Sequence, residues 1–584
     1  MSQRILFAMT KTRNLIVVIL VLLPFSGCKQ KEEKLTGDRL DEIAETYGQF
    51  APDDAWEDGT GFAYYGSENE FSRRQFSEVS AERLYKRRGQ RQMLKILDGD
   101  VDEAIALAEY RLGENPQDAE SYFILAVAYS QKNDIDKAMS SVRSAMERGM
   151  DFGRFLAGPR DLLEPLTLSK SFRDFASENS RTLVHGPMVG SIWSQGASFW
   201  ARTMDESKVS VRCFDSLGNL VAEASAQSKV DVDFTAVVKV QGLEDYSAYR
   251  YDVLVDGVIV DPINDQSFKT IRLEGVSGEF EIGVGGCAGY TPIYERMWST
   301  IASHNLDAML MLGDNVYIDI PEMPGAFHDY TYYRRQSEPD FRKLVAKTPL
   351  YSIWDDHDAA TDDIWMGPFK DKPDWKQPMV NLFNRNWVNP GRGDSEWAGC
   401  WYSFYVGDVS IFMLDGRTYR TNPYKEEKTM LGPVQKKALL DWLAYPRESF
   451  KVIVSPVAWS SDSKPGSNDT WNGFIEEREE IFQFLSDNKV EGVILLSSDR
   501  HRTDLWKNER EGDYPLYEFM SGRLTNMHTH DLEPGALIAY NEKCSFGKMV
   551  FRSNRPDPEI EFQIVSIDNE ITHSHVVKRS EISY

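Results

Sequence analysis

Ala308-Met309-Leu310-Met311-Leu312-Gly313-Asp314-Asn315-Val316-Tyr317 is a short apolar run that stops at a glycine and is followed at once by a carboxylate and a phenol. An apolar run of this length, closed by a turn residue, reads as a strand buried on both faces of a layered sheet. The same device recurs further along the chain. Residues 280–284 lead into Gly285-Gly286-Cys287-Ala288-Gly289-Tyr290, and 350–354 lead into Trp354-Asp355-Asp356-His357-Asp358. Residues 409–414 precede Asp415-Gly416-Arg417, 451–454 precede Ser455-Pro456, and 493–496 precede Ser497-Ser498-Asp499-Arg500-His501. Helical stretches separate these runs, so residues 280–584 are expected to form a layered α/β domain. Nearly every predicted strand ends in groups that bind metal or phosphate, and in α/β sheets sites form beyond the strand C-termini.

Three further motifs stand in the same order: Gly432-Pro433-Val434-Gln435 with Trp442-Leu443, then Trp471-Asn472-Gly473 with Glu477-Arg478, then Leu516-Tyr517-Glu518 through Leu524-Thr525-Asn526. With the strand ends, this order and spacing resemble the alkaline phosphatase D (PhoD-like) branch of the calcineurin-like metallophosphoesterases, from about residue 185 to the C-terminus. Ser498 stands where that family commonly has Gly, and Asn315 occupies a position that varies among its members.

The resemblance implies an iron-calcium site, and the residue chemistry agrees. A phosphate ester resists hydrolysis because its anionic oxygens repel a nucleophile; two cations about 3.5 to 4 Å apart remove that obstacle and acidify a bound water. Asp314, in a turn just past an apolar strand, is the expected bridging ligand. A thiolate and a phenolate favour trivalent iron over magnesium or calcium, so Cys287, Asp314 and Tyr317 point to Fe(III). Asp355, Asp356 and Asp499 suit calcium or another divalent ion. Asp356-His357 falls where related phosphoesterases have Asn-His, which implies Asp356 as a ligand and His357 as the acid for the leaving oxygen. Asp499 and His501 fall where those enzymes place their last ligands. Arg417 is the expected phosphate clamp, because its planar fork matches two phosphate oxygens, with Arg420 and Arg500 as competitors. His528, His530, His573 and His575 read as surface histidines, and Trp354, Trp387, Trp401 and Trp471 as packing.

Upstream, the period of two over residues 185–279 and its Gly-containing turns predict a small β-sandwich of immunoglobulin or fibronectin type III kind. Residues 81–180 read as helical. Val101-Asp102-Glu103-Ala104 matches Ile135-Asp136-Lys137-Ala138 at a spacing of 34 residues, the tetratricopeptide period. Two readings follow: a helical hairpin packed on its neighbour, or a short repeat presenting a groove to a protein partner. Residues 1–28 have the layout of an export signal, with Arg4, Lys11 and Arg13 before a short apolar run and Phe25-Ser26-Gly27-Cys28 as a lipobox. Residues 29–80 read as a linker or tether. Five cysteines, Cys28, Cys213, Cys287, Cys400 and Cys544, offer no disulfide framework, and a net charge of −25 argues against nucleic-acid binding.

The sequence therefore predicts an exported bacterial lipoprotein, held at the cell envelope through Cys28 alone. It would hydrolyse phosphate mono- or diesters by in-line attack of a metal-activated hydroxide. The rival reading is a repeat-mediated interaction protein with an inactive phosphatase-like domain. Retention of Cys287, Asp314, Tyr317, Asp356, Asp499 and His501 argues against it.

Overall fold

Among the described residues the first helix is α1 (Glu78–Arg83), capped by Ser77, whose side chain accepts a hydrogen bond from the Ser80 backbone N–H. The structure, a computed structural model, describes residues 75–179, 183–260, 266–391, 399–445 and 448–584. The export signal, the lipid anchor at Cys28 and most of the tether lie outside the described residues. Among those described, no helix is long and apolar enough to cross a membrane, and Cys213, Cys287, Cys400 and Cys544 are buried free thiols.

Helices α2 (Tyr85–Leu97), α3 (Val101–Glu114), α4 (Ala119–Gln131) and α5 (Ile135–Glu147) follow as successive neighbours, as the apolar periodicity anticipates. Residues Phe123 to Ala128 of α4 are all buried, so this helix is covered on every side. Part of the cover comes from a distant segment. Phe123 lies 6.1 Å from the ring of Tyr330 in α6 (Ala326–Gln336), and the Tyr330 hydroxyl donates to Glu120 at 2.5 Å. Arg154 pairs with Glu120 at 3.3 Å and stacks on Phe123. This part of the helical region thus packs on the α/β core, as in the plainer of the two readings, and that face is not a free groove.

Strands β1 (Leu183–Trp193), β2 (Gly196–Thr203) and β3 (Thr235–Gln241) fall in the segment expected to be a separate sandwich. They instead continue the central sheet. β1 pairs in parallel with β6 (Leu350–Ile353) at Gly190↔Leu350. A Cβ at Gly190 would lie 2.5 Å from the Leu350 carbonyl oxygen, so only glycine admits this approach. The remaining strands of the segment form a smaller sheet that packs on β2 through Phe199, Tyr251 and Phe268. Two-sheet packing is therefore present, but one sheet is shared with the α/β core. Period two reports that a strand has one buried face; it does not report which sheet the strand joins.

The core strands fall close to their expected positions: β4 (Glu279–Gly285), β5 (Ala308–Leu312), β6, β7 (Val409–Met413), β8 (Phe450–Val454) and β9 (Val493–Ser497). They form two parallel triplets in different sheets. The first sheet runs β12-β11-β10-β4-β5-β6-β1-β2-β3, with β10 (Ser545–Arg552), β11 (Glu559–Ser566) and β12 (Ile571–Lys578) from the C-terminus. The second has β7, β8 and β9 at its centre. The strands of each triplet are largely apolar because most of their length is buried on both faces; Glu279 and Glu281 of β4 and Lys451 of β8 are the charged exceptions.

Glu120→Ala would leave Arg154 as an uncompensated buried charge where α4 meets α6, and it should lower folding stability by about 3–5 kcal/mol. Chemical denaturation of the variant checks this; an unchanged midpoint would mean that the helical region does not dock as described.

Candidate metal centre

The loops that leave β4, β5, β6 and β9 converge, and their backbones are held together before any side chain is considered. Cys287 N–H donates to the Gly313 carbonyl at 3.2 Å, and Ala288 N–H to the Asp314 carbonyl at 2.8 Å. A Cβ at Gly313, which has φ +102°, would lie 2.6 Å from the Asp355 Cβ. Cys287, Asp314, Asp499 and His501 have φ values of 57°, 53°, 69° and 50°. Left-handed backbone at non-glycine residues costs on the order of 1–3 kcal/mol each and concentrates at functional sites. Here it shapes the loops that carry four predicted ligands, of which Cys287, Asp314 and His501 bring ligand atoms together.

Ligand atoms of Cys287, Asp314 and His501 lie within 4.8 Å of one another, as do those of Asp314, Asp356 and His357. Asp314 belongs to both groups, the position expected of a bridging ligand. The Tyr317 hydroxyl is 2.9 Å from Asp314 Oδ2. Several ligand atoms here are buried and lack a hydrogen-bond partner: Asp314 Oδ1, Asp355 Oδ2, Asp499 Oδ2 and His501 Nδ1. Buried acceptors of this kind are normally satisfied, so four orphans on predicted ligands fit a cation among them. The donor set of the first group, sulfur, oxygen and nitrogen with a phenol alongside, is softer than the second.

The acid-base behaviour agrees. Burial, then the neighbouring Asp356 and Asp355, push Asp314 well above the usual carboxylate range. Burial and then Asp314 raise the Cys287 thiol and the Tyr317 phenol. A cation in the pocket inverts this trend, stabilising carboxylate, thiolate and phenolate together. Asp356 is the exception: burial raises it, but His357 and Arg417 more than compensate and hold it below the usual range. His357 moves up to about 10, because Asp319 and Asp356 outweigh the effect of its burial.

Several site residues carry no strand-end signature. Asp319 accepts from His357 Nδ1, leaving Nε2 turned away from it. Asn526 Nδ2 donates to the Tyr317 hydroxyl at 2.8 Å, and Ser498 Oγ is 3.6 Å from Cys287 Sγ. Asp358 braces the 314–317 turn by accepting from the backbone of Asn315 and Val316. Asp362 and Asp363 form a further carboxylate group with Asp356. His528 and His530 are not free surface histidines: their rings lie 4.9 and 5.7 Å from that of His501. Burial lowers both, His528 to about 4 and His530 to about 2.

The clamp role expected of Arg417 does not fit this geometry. The side chain is fully buried. Its Nε donates to Asp355 at 2.5 Å, Nη1 to Asp469 at 2.6 Å and to the Ile364 carbonyl at 3.2 Å, and Nη2 to Asp469 at 3.4 Å. The turn after β7 points inward because the Asp415 carboxylate accepts from Trp354, Cys400, Arg417 and Thr418. Arg417 therefore holds Asp355 and Asp469 rather than a ligand. Arg420 also donates to Asp469, at 2.5 Å. Arg500 differs: it lies between Asp499 and His501, and its guanidinium makes no hydrogen bond or ion pair among the described residues.

The helical region reaches this centre through α2. Gln90 donates to the Tyr317 carbonyl, Arg87 pairs with Asp319, and Lys86 Nζ lies 2.9 Å from the centre of the Tyr317 ring. Burial, then Arg87, pull Lys86 down, opposed by Asp319, Asp314 and Cys287. A cleft of about 540 Å³ opens nearby between the helical region and the core, lined by Tyr85, Arg88, Tyr290 and Arg334 among others. None of the candidate metal ligands lines it.

Residues 282–546 match the family model described as PhoD-like phosphatase, and 180–273 match a domain of unknown function. The chain is 21% identical over 351 residues to alkaline phosphatase D of Bacillus subtilis (strain 168), an alignment that covers 50% of this chain and 58% of that relative's length. Among solved structures, PhoD superposes with a TM-score of 0.55 at 16% identity, covering 67% of this chain and 88% of its own. A purple acid phosphatase, PPD1 from yellow lupin (Lupinus luteus) seeds, superposes with a TM-score of 0.50 at 11% identity, covering 68% and 75%. Residues 282–546 are thus similar to the PhoD-like phosphatases, and the two-sheet core has the fold of these two structures.

Arg417→Ala would leave Asp355 without its buried cation and take from Asp469 one of its two arginines, and it should lower the stability of the protein by about 3–5 kcal/mol. Denaturant unfolding measures this. A variant of parental stability with a tenfold higher KM for a phosphate ester would restore the clamp.

Proposed function

We propose that the chain is a metal-dependent phosphoesterase that hydrolyses phosphate mono- or diesters at the centre built by Cys287, Asp314, Tyr317, Asp356 and His501. The observation that carries this reading is the pair of ligand groups sharing Asp314, within the residues matched to the PhoD-like phosphatase family. Bound there, a pair of cations supplies an acidified water as nucleophile and neutralises the charge of the phosphoryl oxygens. Fe(III) fits the thiol and phenol side, and Ca(II) or another divalent ion fits the carboxylate side toward Asp355, Asp356 and Asp499.

The chain's own residues divide the remaining work. His357 is the acid for the leaving alcohol: Asp319 accepts from its Nδ1, so Nε2 is the nitrogen available to carry a proton outward. The shift of His357 to about 10 keeps it protonated at neutral pH, the form required of an acid. Arg500, which has no partner among the described residues, meets a phosphoryl oxygen in the role first expected of Arg417. In this reading the protein is exported and tethered at the cell envelope through Cys28, and its helical hairpins are tetratricopeptide-like.

Metal analysis of the purified protein is expected to find iron together with a divalent ion. Visible charge-transfer absorption should accompany the iron, and Tyr317→Phe should bleach it; colour that survives this substitution excludes the phenolate ligand. Asp314→Asn should keep its fold and lose about a hundredfold or more in turnover, because removing a bridging ligand costs several kcal/mol of transition-state stabilisation. Turnover within threefold of the parent would contradict the proposed centre.

A further inference from the structure

The residues that α2 brings to the metal centre differ in how they are partnered. Arg87 is engaged through both terminal guanidinium nitrogens: Nη2 pairs with Asp319 and donates to Gln75 at 2.7 Å, and Nη1 donates to Gln90 at 3.2 Å. Gln90 anchors the same helix to the Tyr317 backbone. These contacts fix the helix in place. Lys86 has no comparable partner. It is 5% exposed, yet among the described residues its Nζ has neither a hydrogen-bond acceptor nor a carboxylate within ion-pairing distance. Its one close contact is the face of Tyr317.

Such a placement is costly unless something else satisfies the three ammonium donors. A cation over an aromatic face contributes roughly 0.5–2 kcal/mol, whereas an effective desolvation penalty for a buried ion amounts to several kcal/mol. The ring beneath Lys86 belongs to the residue whose hydroxyl touches Asp314 and Asn526. The amine is therefore held against a residue of the ligand cluster with no acceptor for its donors among the described residues. Arg500 offers a second free cation from the loop between Asp499 and His501.

We infer that α2 is a wall of the active site and that Lys86 contacts the substrate phosphoryl group, so that the site prefers phosphate monoesters, which carry two negative charges, over diesters. This rests on the phosphoesterase reading and narrows it to a substrate class. The preference follows from charge on the substrate: a monoester presents one more anionic oxygen than a diester, and the Lys86 amine offers that oxygen N–H donors that no acceptor among the described residues takes. Residue 86 lies outside the segment matched to the PhoD-like family, so this contact belongs to the arrangement of this chain.

The test uses the full metal-loaded protein and its Lys86→Met and Lys86→Arg variants. It measures metal content, binding of inorganic phosphate by calorimetry, and hydrolysis of p-nitrophenyl phosphate and bis-p-nitrophenyl phosphate. Lys86→Met should bind inorganic phosphate about tenfold or more weakly and lose a similar factor in kcat/KM for the monoester, as expected for a charge-assisted hydrogen bond. The diester should change by less than about threefold, metal content should stay at the parental level, and Lys86→Arg should recover most of the phosphate affinity. Parental phosphate binding and an unchanged monoester-to-diester ratio in Lys86→Met overturn the inference, as does loss of metal from that variant, which would make Lys86 a support for Tyr317. A parent protein that loads metal but hydrolyses neither ester overturns the phosphoesterase reading instead. The phosphate-binding comparison then still decides the role of Lys86.

Discussion

Three carboxylates, those of Asp314, Asp355 and Asp356, are each no more than 2% exposed and lie beside a buried thiol and a buried phenol. In isolation such a group of acids repels itself and takes up protons, as the raised Asp314 and Asp355 indicate. Much of the architecture around it supplies positive charge in measured positions. Arg417 sits beneath, paired to Asp355 and Asp469. His357 sits between Asp319 and Asp356 and is raised by both. Arg87 balances Asp319 from the helical side. What these cations leave unpaired is a small set of ligand atoms centred on Asp314, and that remainder is the shape of a metal site.

The scaffold explains why the remainder is small and fixed. Two parallel strand triplets in different sheets end facing one another, so four loops meet over a short distance. Loops alone would be too free to hold donors within metal-binding range. Here they are tied by backbone hydrogen bonds between Cys287 and Gly313 and between Ala288 and Asp314, and turned by left-handed residues that a less constrained loop would avoid. The strain at Cys287, Asp314, Asp499 and His501 is tolerated because the strand ends that precede these turns are buried. The sheets thus convert apolar burial into the precision of the ligand set.

This division also governs what could be read from sequence. The core strands β4 to β9 were legible because full burial writes a continuous apolar run, and their ends were legible because Asp, Cys, Tyr and His cluster there. Arg417 was misread for an instructive reason: an Asp-Gly-Arg turn states that a cation follows a strand, but its direction depends on Asp415, which binds four inward partners. The sandwich boundary failed in a similar way, since Gly190↔Leu350 is a pairing across 160 residues that no local period encodes. Asp319 and Asn526 were missed because each acts on another side chain, His357 and Tyr317, rather than at a strand end. His528 and His530 were discounted as surface residues because their sequence neighbourhood is turn-like, although the fold returns that turn to His501.

The helical region shows the same limit on a larger scale. Its helices were readable from periodicity, but an amphipathic stripe names no partner, and here one partner is the catalytic core itself through Glu120, Arg154 and Tyr330. That docking fixes the register of α2, because a helix held at Gln90 and Arg87 by Tyr317 and Asp319 has no freedom to place Lys86 elsewhere. Three basic residues near the centre consequently have three different roles set by partnership alone. Arg417 is saturated by carboxylates, Arg87 joins the helix to the Asp319–His357 pair, and Lys86 keeps its donors free. Charge of the same sign at similar depth serves structure, alignment or binding according to how many acceptors the fold leaves within reach.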